Sequence, residues 1–116
     1  MKDAIYHNPR CSKSRETLAL LQKRAPAVPV VEYLKAPPDV KTLKEICAAL
    51  GMRPYDLVRR KEALFAELEL DAVKPDDDAR WLQVLAKHPV LLERPIVVRN
   101  GKAALGRPPE NVLKIL

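Results

Sequence analysis

The chain has 116 residues, 47% of them hydrophobic, and carries a formal net charge of +6 at pH 7. This length and apolar content predict one folded domain and exclude a disordered chain. The positive charge favours anionic partners, but only 4% of the residues are aromatic, and the basic residues are interspersed with acidic ones. We therefore expect a small anion as ligand and no nucleic acid.

No apolar run approaches the ~20 residues that a membrane span needs, so no membrane association is expected. The N-terminal sequence passes directly into a strand-like segment, which does not fit a signal peptide. Two cysteines in a chain of this size do not form a disulfide framework and indicate the reducing cytoplasm. We expect a monomer.

The first predicted strand, residues 3–6, is separated by a short loop from a helix predicted from Ser14 to about Lys23. Cys11 lies in this loop. The free N–H groups and positive dipole end of the helix would favour its thiolate, which is the nucleophilic form. Arg10 and Lys13 add positive charge. The alternative is that Cys11 is only a small packing residue.

A second strand is predicted over residues 28–33, which are rich in β-branched side chains. A helix from Asp39 to Leu50 follows, with Asp39 as its N-cap and Gly51 after its end. Cys47 lies on the apolar stripe of this helix, so we expect it to pack in the core and not to act in redox chemistry.

Residues 39–87 are predicted to form an all-helical insert between strands of a single domain spanning 1–116. Short helical segments are expected at 53–61 and 64–68, and a longer helix opens at Pro75–Asp78 and runs to about Lys87. The acidic residues at the start of that helix could suggest a metal site, but capping of the helix is the favoured interpretation.

Strands are predicted at residues 96–98 and 102–105, joined by an Asn100–Gly101 hairpin turn, and residues 110–116 are predicted to form a closing helix. The order β–α–β, helices, β–β–α predicts an α/β thioredoxin-like fold, with a four-stranded mixed sheet flanked by helices. In that fold the loop of Cys11 lies near Arg94-Pro95.

Five sequence segments resemble the glutaredoxin-coupled arsenate reductase family, in its short subgroup. They occur in the family's order, at close to its spacing, and cover nearly the whole chain. The segments are Tyr6-His-Asn-Pro-x-Cys11-x-x-Ser14-Arg15, Tyr33-Leu-x-x-Pro-Pro38, Leu57-x-Arg59, His88-Pro-x-Leu-x-x-Arg94-Pro-Ile-Val-Val98 and Gly106-Arg-Pro108.

The resemblance implies an oxidoreductase that reduces arsenate to arsenite, in which Cys11 attacks the arsenic and displaces water. His7 would assist ionisation of the thiol, and Ser14 can donate a hydrogen bond to the sulfur or the anion. Three arginines would hold the arsenate or a similar oxyanion, because the guanidinium fork suits a tetrahedral oxyanion. They map to Arg59, Arg94 and Arg107, with Arg60 as the alternative to Arg59.

The reductant is also implied by the resemblance. A dithiol enzyme would have a second cysteine where this chain has Ser14, so an external thiol must release the adduct. The family implies glutathione as co-substrate and then glutaredoxin as partner. Neither a metal-ligand cluster nor a dinucleotide-type glycine motif is apparent, so no bound cofactor is expected. Pro95 matches the thioredoxin-like position that usually has a cis peptide bond.

Two other functions remain open from the sequence. One is a glutathione-dependent reductase of protein or small-molecule disulfides. The other is a non-catalytic regulator that binds the transcription machinery, as in a related branch with this fold. That branch typically has Cys-x-x-Cys in the loop and lacks the arginine set, so Ser14, Arg94 and Arg107 count against it.

Overall fold

The computed structural model describes all of residues 1–116 and contains one four-stranded sheet in the order β2-β1-β3-β4. β1 pairs in parallel with β2 and antiparallel with β3, and β3 pairs antiparallel with β4. The predicted mixed sheet is thus confirmed. The strands are β1 (Ala4–His7), β2 (Val30–Glu32), β3 (Ile96–Arg99) and β4 (Lys102–Leu105).

The chain forms two compact units. The sheet unit comprises Met1–Ala36 and Arg94–Leu116 and contains the four strands, helix α1 (Ser12–Arg24) and a 3-10 helix at Pro109–Ile115. The helical unit, Pro37–Glu93, contains the rest of the secondary structure. Its elements are α2 (Val40–Leu50), α3 (Ala63–Glu67), α4 (Asp78–Lys87) and 3-10 helices at Pro54–Leu57, Leu70–Ala72 and Pro89–Leu91.

The core of the sheet unit lies between the sheet, α1 and the C-terminal 3-10 helix. Ile5 in β1 and Val97 in β3 are fully buried, as is Val112, and Leu21 of α1 packs in the same cluster. All four residues of β1 are buried, which fits a central strand covered on both faces. This burial fixes the strand that leads into the Cys11 loop.

The hairpin between β3 and β4 has the predicted turn. Asn100 and Gly101 have φ angles of 50° and 77°, the left-handed values that a type I′ turn requires. The N–H of Asn100 also donates a 2.9 Å hydrogen bond to the carboxylate of Asp3.

Capping residues mark the ends of two helices in the helical unit, α2 and α4, as predicted. The Asp39 carboxylate accepts the N–H of Thr42 at 2.8 Å, and Gly51 ends α2 with φ 67°. The Asp77 carboxylate accepts the N–H of Arg80 at 3.3 Å at the start of α4, which confirms capping by this acidic run. No helix in the structure is long and apolar enough to cross a membrane.

Several predicted boundaries were wrong. α1 begins at Ser12, two residues before the predicted start, because Cys11 itself takes the N-cap position. The predicted helix at 53–61 is only the 3-10 helix Pro54–Leu57, since Val58 turns extended and pairs with Leu92.

The other boundary errors involve prolines. β2 is limited to Val30–Glu32, after Pro29, which has no N–H to donate to a strand ladder. The closing segment is the 3-10 helix Pro109–Ile115 instead of an α-helix. It begins at the second of two adjacent prolines, Pro109, and is too short to gain much from α-helical propagation.

We predict that Gly106→Ala destabilises the protein by about 1–3 kcal/mol, the usual cost of overpacking. A Cβ at this position would overlap Thr17 Oγ1 and lie 2.6 Å from Pro95 Cγ. Urea unfolding measures the change. Gly101→Asn is the comparison without overlap: no atom lies within 4 Å of its new Cβ, so its loss reports only the cost of a positive φ, which Asn tolerates better than most residues. Equal losses for both variants would contradict the predicted overlap.

Candidate active site

Cys11 occupies the N-cap position of α1, with φ −95° and ψ 123°. Its N–H donates to the carbonyl of Asn8 at 3.0 Å, and its carbonyl accepts the N–H of Arg15 at 3.0 Å. No side chain caps this helix end, so its first N–H groups are left for the thiol or for an anion. The side chain is half-buried.

The pKa of the Cys11 thiol lies below its ordinary value. Partial burial raises the pKa, but stabilisation of the thiolate outweighs this. The backbone N–H of Ser14, the charge and a hydrogen bond of the Arg94 guanidinium, and the N–H of Lys13 all lower it. These are the terms by which charge and hydrogen bonding favour an anion. The surroundings of Cys11 therefore favour its thiolate form.

His7 and Ser14 are buried next to each other below the loop. Nδ1 of His7 and Oγ of Ser14 share a 2.7 Å hydrogen bond, and Ser14 Oγ also accepts the N–H of Asn8 at 2.9 Å. Burial lowers the pKa of His7 below its ordinary value, as does the charge of Arg15, although Glu32 and Ser14 oppose the shift. The lowered pKa favours the neutral form of His7, and Ser14 joins the end of β1 to the first turn of α1.

Arg94 and Arg107 lie on two adjacent loops of the sheet unit. Arg94 contacts Cys11 electrostatically and by hydrogen bonding, which confirms that the fold brings these two residues together. Nη1 of Arg107 donates to the carbonyl of Arg94 at 3.4 Å. Both arginines precede cis prolines, Pro95 and Pro108. The first cis bond was predicted, whereas the sequence reasoning missed the second.

Arg59 lies in the helical unit, where its guanidinium is held by two carboxylates. Nε donates to Glu62 Oε1 and Nη1 to Glu93 Oε1, each at 3.0 Å. The guanidinium of Arg60 instead lies 4.4 Å from the ring centroid of Tyr55, a cation–π contact. The structure thus gives the two neighbouring arginines different surroundings.

A cavity of about 310 Å³ opens beside the Cys11 loop. One wall comes from the loop itself, through Pro9 and Arg10, and the other from the segment after β2, through Leu34 and Lys35. Its remaining lining residues are His7, Asn8 and Glu32. The cavity therefore combines apolar walls with charged groups of both signs.

Comparison with known proteins identifies the family. The ArsC family model matches residues 6–115 of the chain. The chain belongs to the ArsC family.

Curated relatives and solved structures agree with this assignment. The arsenate reductase of Neisseria meningitidis serogroup A is 52% identical over 113 residues, covering 97% of this chain and 96% of that protein. The uncharacterized protein YfgD of Escherichia coli is 50% identical over 113 residues, covering 97% and 94%. The arsenate reductase structure from Vibrio cholerae matches with a TM-score of 0.87 at 50% identity, covering 100% of this chain and 98% of that one. This similarity confirms the thioredoxin-like fold class.

The second cysteine of this ArsC-family chain does not share the properties of the first. Cys47 is only 5% exposed in the core of the helical unit, as the apolar stripe of α2 predicted. Burial raises the pKa of its thiol to about 11, together with the charges of Asp78 and Asp56. Cys47 is therefore a protonated core residue at neutral pH.

Sequence reasoning missed two acidic residues, Glu62 and Glu93. Arg59 and Glu62 are three residues apart in a turn, where the N–H of Glu62 donates to the carbonyl of Arg59 at 3.2 Å, and this short separation of opposite charges could have indicated their pairing. No local signal links Glu93 to Arg59, since their contact depends on the pairing of two segments distant in the chain. No group of three or more His, Cys, Asp or Glu side chains that could hold a metal ion is present.

We predict that iodoacetamide alkylates Cys11 in the native protein at neutral pH and leaves Cys47 unmodified. The rate should rise with pH about a midpoint below that of an ordinary thiol, because Arg94 stabilises the thiolate. In Arg94→Gln the midpoint should move to higher pH. Mass spectrometry of the alkylated protein locates the label and gives the rate, with Arg80→Gln as an exposed control. An unchanged midpoint in Arg94→Gln would show that Arg94 does not act on the thiol.

Proposed function

We propose that this protein is a thiol-dependent oxidoreductase that reduces arsenate to arsenite, with Cys11 as the nucleophile. The observation that carries the proposal is the half-buried Cys11 thiol, whose pKa is lowered by the N–H of Ser14 and by the Arg94 guanidinium. The names of several ArsC relatives, which are arsenate reductases, support the choice of substrate.

In the first step the Cys11 thiolate attacks the arsenic of bound arsenate. A sulfur–arsenic bond forms, an arsenic–oxygen bond breaks, and the departing oxygen leaves as water after taking up a proton. Arsenic remains in the +5 state. Arg94 and Arg107 offset the charge on the remaining arsenate oxygens, and Arg59 is proposed as the third oxyanion ligand. His7 and Ser14 do not contact the arsenate in this step; their hydrogen bonds hold the Cys11 loop in the conformation that exposes the sulfur of Cys11.

The two electrons for reduction come from thiols outside the chain. Ser14 stands where a dithiol enzyme would have its second cysteine, and Cys47 is buried with a raised pKa. We propose glutathione as this reductant and glutaredoxin as the protein that completes the cycle. The balanced reaction converts one arsenate and two thiols into one arsenite, one disulfide and one water. Glutathione as co-substrate implies the reducing cytoplasm.

The cavity beside the Cys11 loop is the proposed binding site for glutathione. Glutathione has two carboxylates and one ammonium group, and the cavity offers Arg10 and Lys35 for the former and Glu32 for the latter. Pro9 and Leu34 provide apolar walls.

No other bound cofactor is proposed. A monomer suffices for this chemistry, because all the proposed residues belong to one chain.

The experiment that tests the proposal is arsenate-dependent NADPH oxidation, with glutathione, glutaredoxin and glutathione reductase in excess. Cys11→Ser should lower kcat at least ~10³-fold, because it removes the nucleophile, and Arg107→Gln should lower kcat/KM roughly 100-fold. Cys47→Ser is the control that keeps the wild-type rate. If wild-type protein with reduced, reactive Cys11 shows no turnover, arsenate is not the substrate, and disulfides become the compounds to assay.

We predict that Lys35→Glu raises KM for glutathione about fivefold, the effect expected from reversing one exposed charge. KM for arsenate should stay unchanged, since Lys35 is assigned to the thiol and not to the oxyanion. Initial rates measured while each substrate is varied separate the two constants. Lys41→Glu makes the same charge change in the helical unit and should leave both constants unchanged. A rise in KM for arsenate alone would contradict the assignment of the cavity.

A further inference from the structure

Thr17, in the second turn of α1, is a buried polar residue to which the proposed reaction gives no role. Besides two tyrosines, the sheet unit buries three polar side chains, His7, Ser14 and Thr17. The first two bond to each other beneath the Cys11 loop. Thr17 is 0% exposed, and a hydroxyl buried so completely costs free energy unless it is hydrogen-bonded. Its hydrogen-bond partners therefore indicate what it does.

The hydroxyl of Thr17 lies between two backbone carbonyls. Oγ1 is 2.8 Å from the carbonyl oxygen of Lys13 and 3.4 Å from that of Gly106. A hydroxyl has one proton to donate, so the short bond to Lys13 is the stronger one and Gly106 shares the same proton. Donation to a carbonyl four residues earlier is common for threonine in helices. The contact with Gly106 joins residues 89 positions apart and is a feature of this fold.

The two carbonyls belong to different parts of the surroundings of the thiol. Lys13 lies in the first turn of α1, and its N–H lowers the pKa of Cys11. Gly106 donates its N–H to the carbonyl of Pro95 at 2.9 Å, directly after Arg94, which also lowers the pKa of Cys11. One buried hydroxyl therefore contacts both the helix turn and the segment that holds the arginine loop.

The contact between Thr17 and Gly106 is tight on both branches of the threonine side chain. A Cβ on residue 106 would overlap Thr17 Oγ1 and lie 2.9 Å from Thr17 Cγ2. Because close-packed interiors have little free space, a change in one of these residues must be met by a movement of the other.

We propose that Thr17 is a positioning residue for the Cys11 thiolate. Its hydroxyl holds the loop of Arg94 at hydrogen-bonding distance from the sulfur, and it acts through Gly106 and Pro95 without taking part in bond making. The inference rests on the proposed function only for its effect on arsenate turnover, because ionisation of the thiol can be measured without arsenate.

The pH dependence of Cys11 alkylation by iodoacetamide tests this role. Thr17→Val keeps the shape of the side chain and removes the hydroxyl. The midpoint should therefore move to higher pH, and the rate below the midpoint should fall about threefold. Thr17→Ala also lacks the hydroxyl and should shift the midpoint in the same direction, whereas Thr17→Ser keeps the hydroxyl and should retain the wild-type midpoint.

Thr42→Val is the matched control. Thr42 is the other threonine of the chain, and its hydroxyl hydrogen-bonds the Asp39 carboxylate in the helical unit. Its replacement should lower the thermal unfolding temperature and leave the midpoint of Cys11 unchanged. Thermal unfolding of every variant separates a loss of stability from a change at the thiol.

A second background shows whether the effect passes through Arg94. In Arg94→Gln the guanidinium is absent, so Thr17→Val should shift the midpoint less than it does in the wild-type background. A shift at least as large without Arg94 would overturn the proposal. A wild-type midpoint in Thr17→Val would overturn it as well, and so would an equal shift in Thr42→Val.

The arsenate assay distinguishes failure of this inference from failure of the proposed function. Thr17→Val should lower kcat/KM for arsenate about threefold, whereas Thr17→Ser should not. If the midpoint shifts as described but wild-type protein does not reduce arsenate, Thr17 positions a thiol whose substrate is not arsenate. If wild-type protein reduces arsenate and the midpoint of Thr17→Val is unchanged, Thr17 is a packing residue only.

Discussion

The placement of a thiol at the first turn of α1 is the constraint on which the rest of the sheet unit depends. Burial alone would raise the pKa of Cys11, so the surroundings must supply enough donors to reverse the effect. The helix N–H groups supply part of this, because the N-cap side chain is the thiol itself and nothing else caps them. Arg94, which lies in the loop before β3, supplies further stabilisation of the thiolate through its charge and a hydrogen bond.

The positions of the loops that carry Arg94 and Arg107 depend on close packing at Gly106. The N–H of Gly106 donates to the carbonyl of Pro95 at 2.9 Å, and its own carbonyl accepts the hydroxyl of Thr17 at 3.4 Å. Any side chain at this position would overlap Thr17 and Pro95. The loops of Arg94 and Arg107 therefore approach α1 because residue 106 has no Cβ. A backbone contact between the neighbours of Arg94 and Arg107 thus helps to hold both arginines close to the start of α1.

Sequence patterns predicted the fold better than the charges around the site. The β-branched runs, the Asn100–Gly101 turn and the Asp39 and Gly51 caps act locally, and each element lies where it was predicted, although β2 is shorter than expected. The cation–π contact of Arg60 and the pairing of Arg59 with Glu93 were not foreseeable, because they depend on tertiary contacts that no periodicity encodes. Helix ends were misplaced for a similar reason: extended pairing of Val58 outweighed its helical context.

The arginines proposed for the oxyanion differ in what opposes their charge. Arg94 stabilises the thiolate of Cys11, whereas the guanidinium of Arg59 donates hydrogen bonds to the carboxylates of Glu62 and Glu93. An incoming anion competes with the thiolate for Arg94, so anion binding and ionisation of Cys11 oppose each other. A site built only from arginines like Arg94 would gain affinity at the cost of the nucleophile.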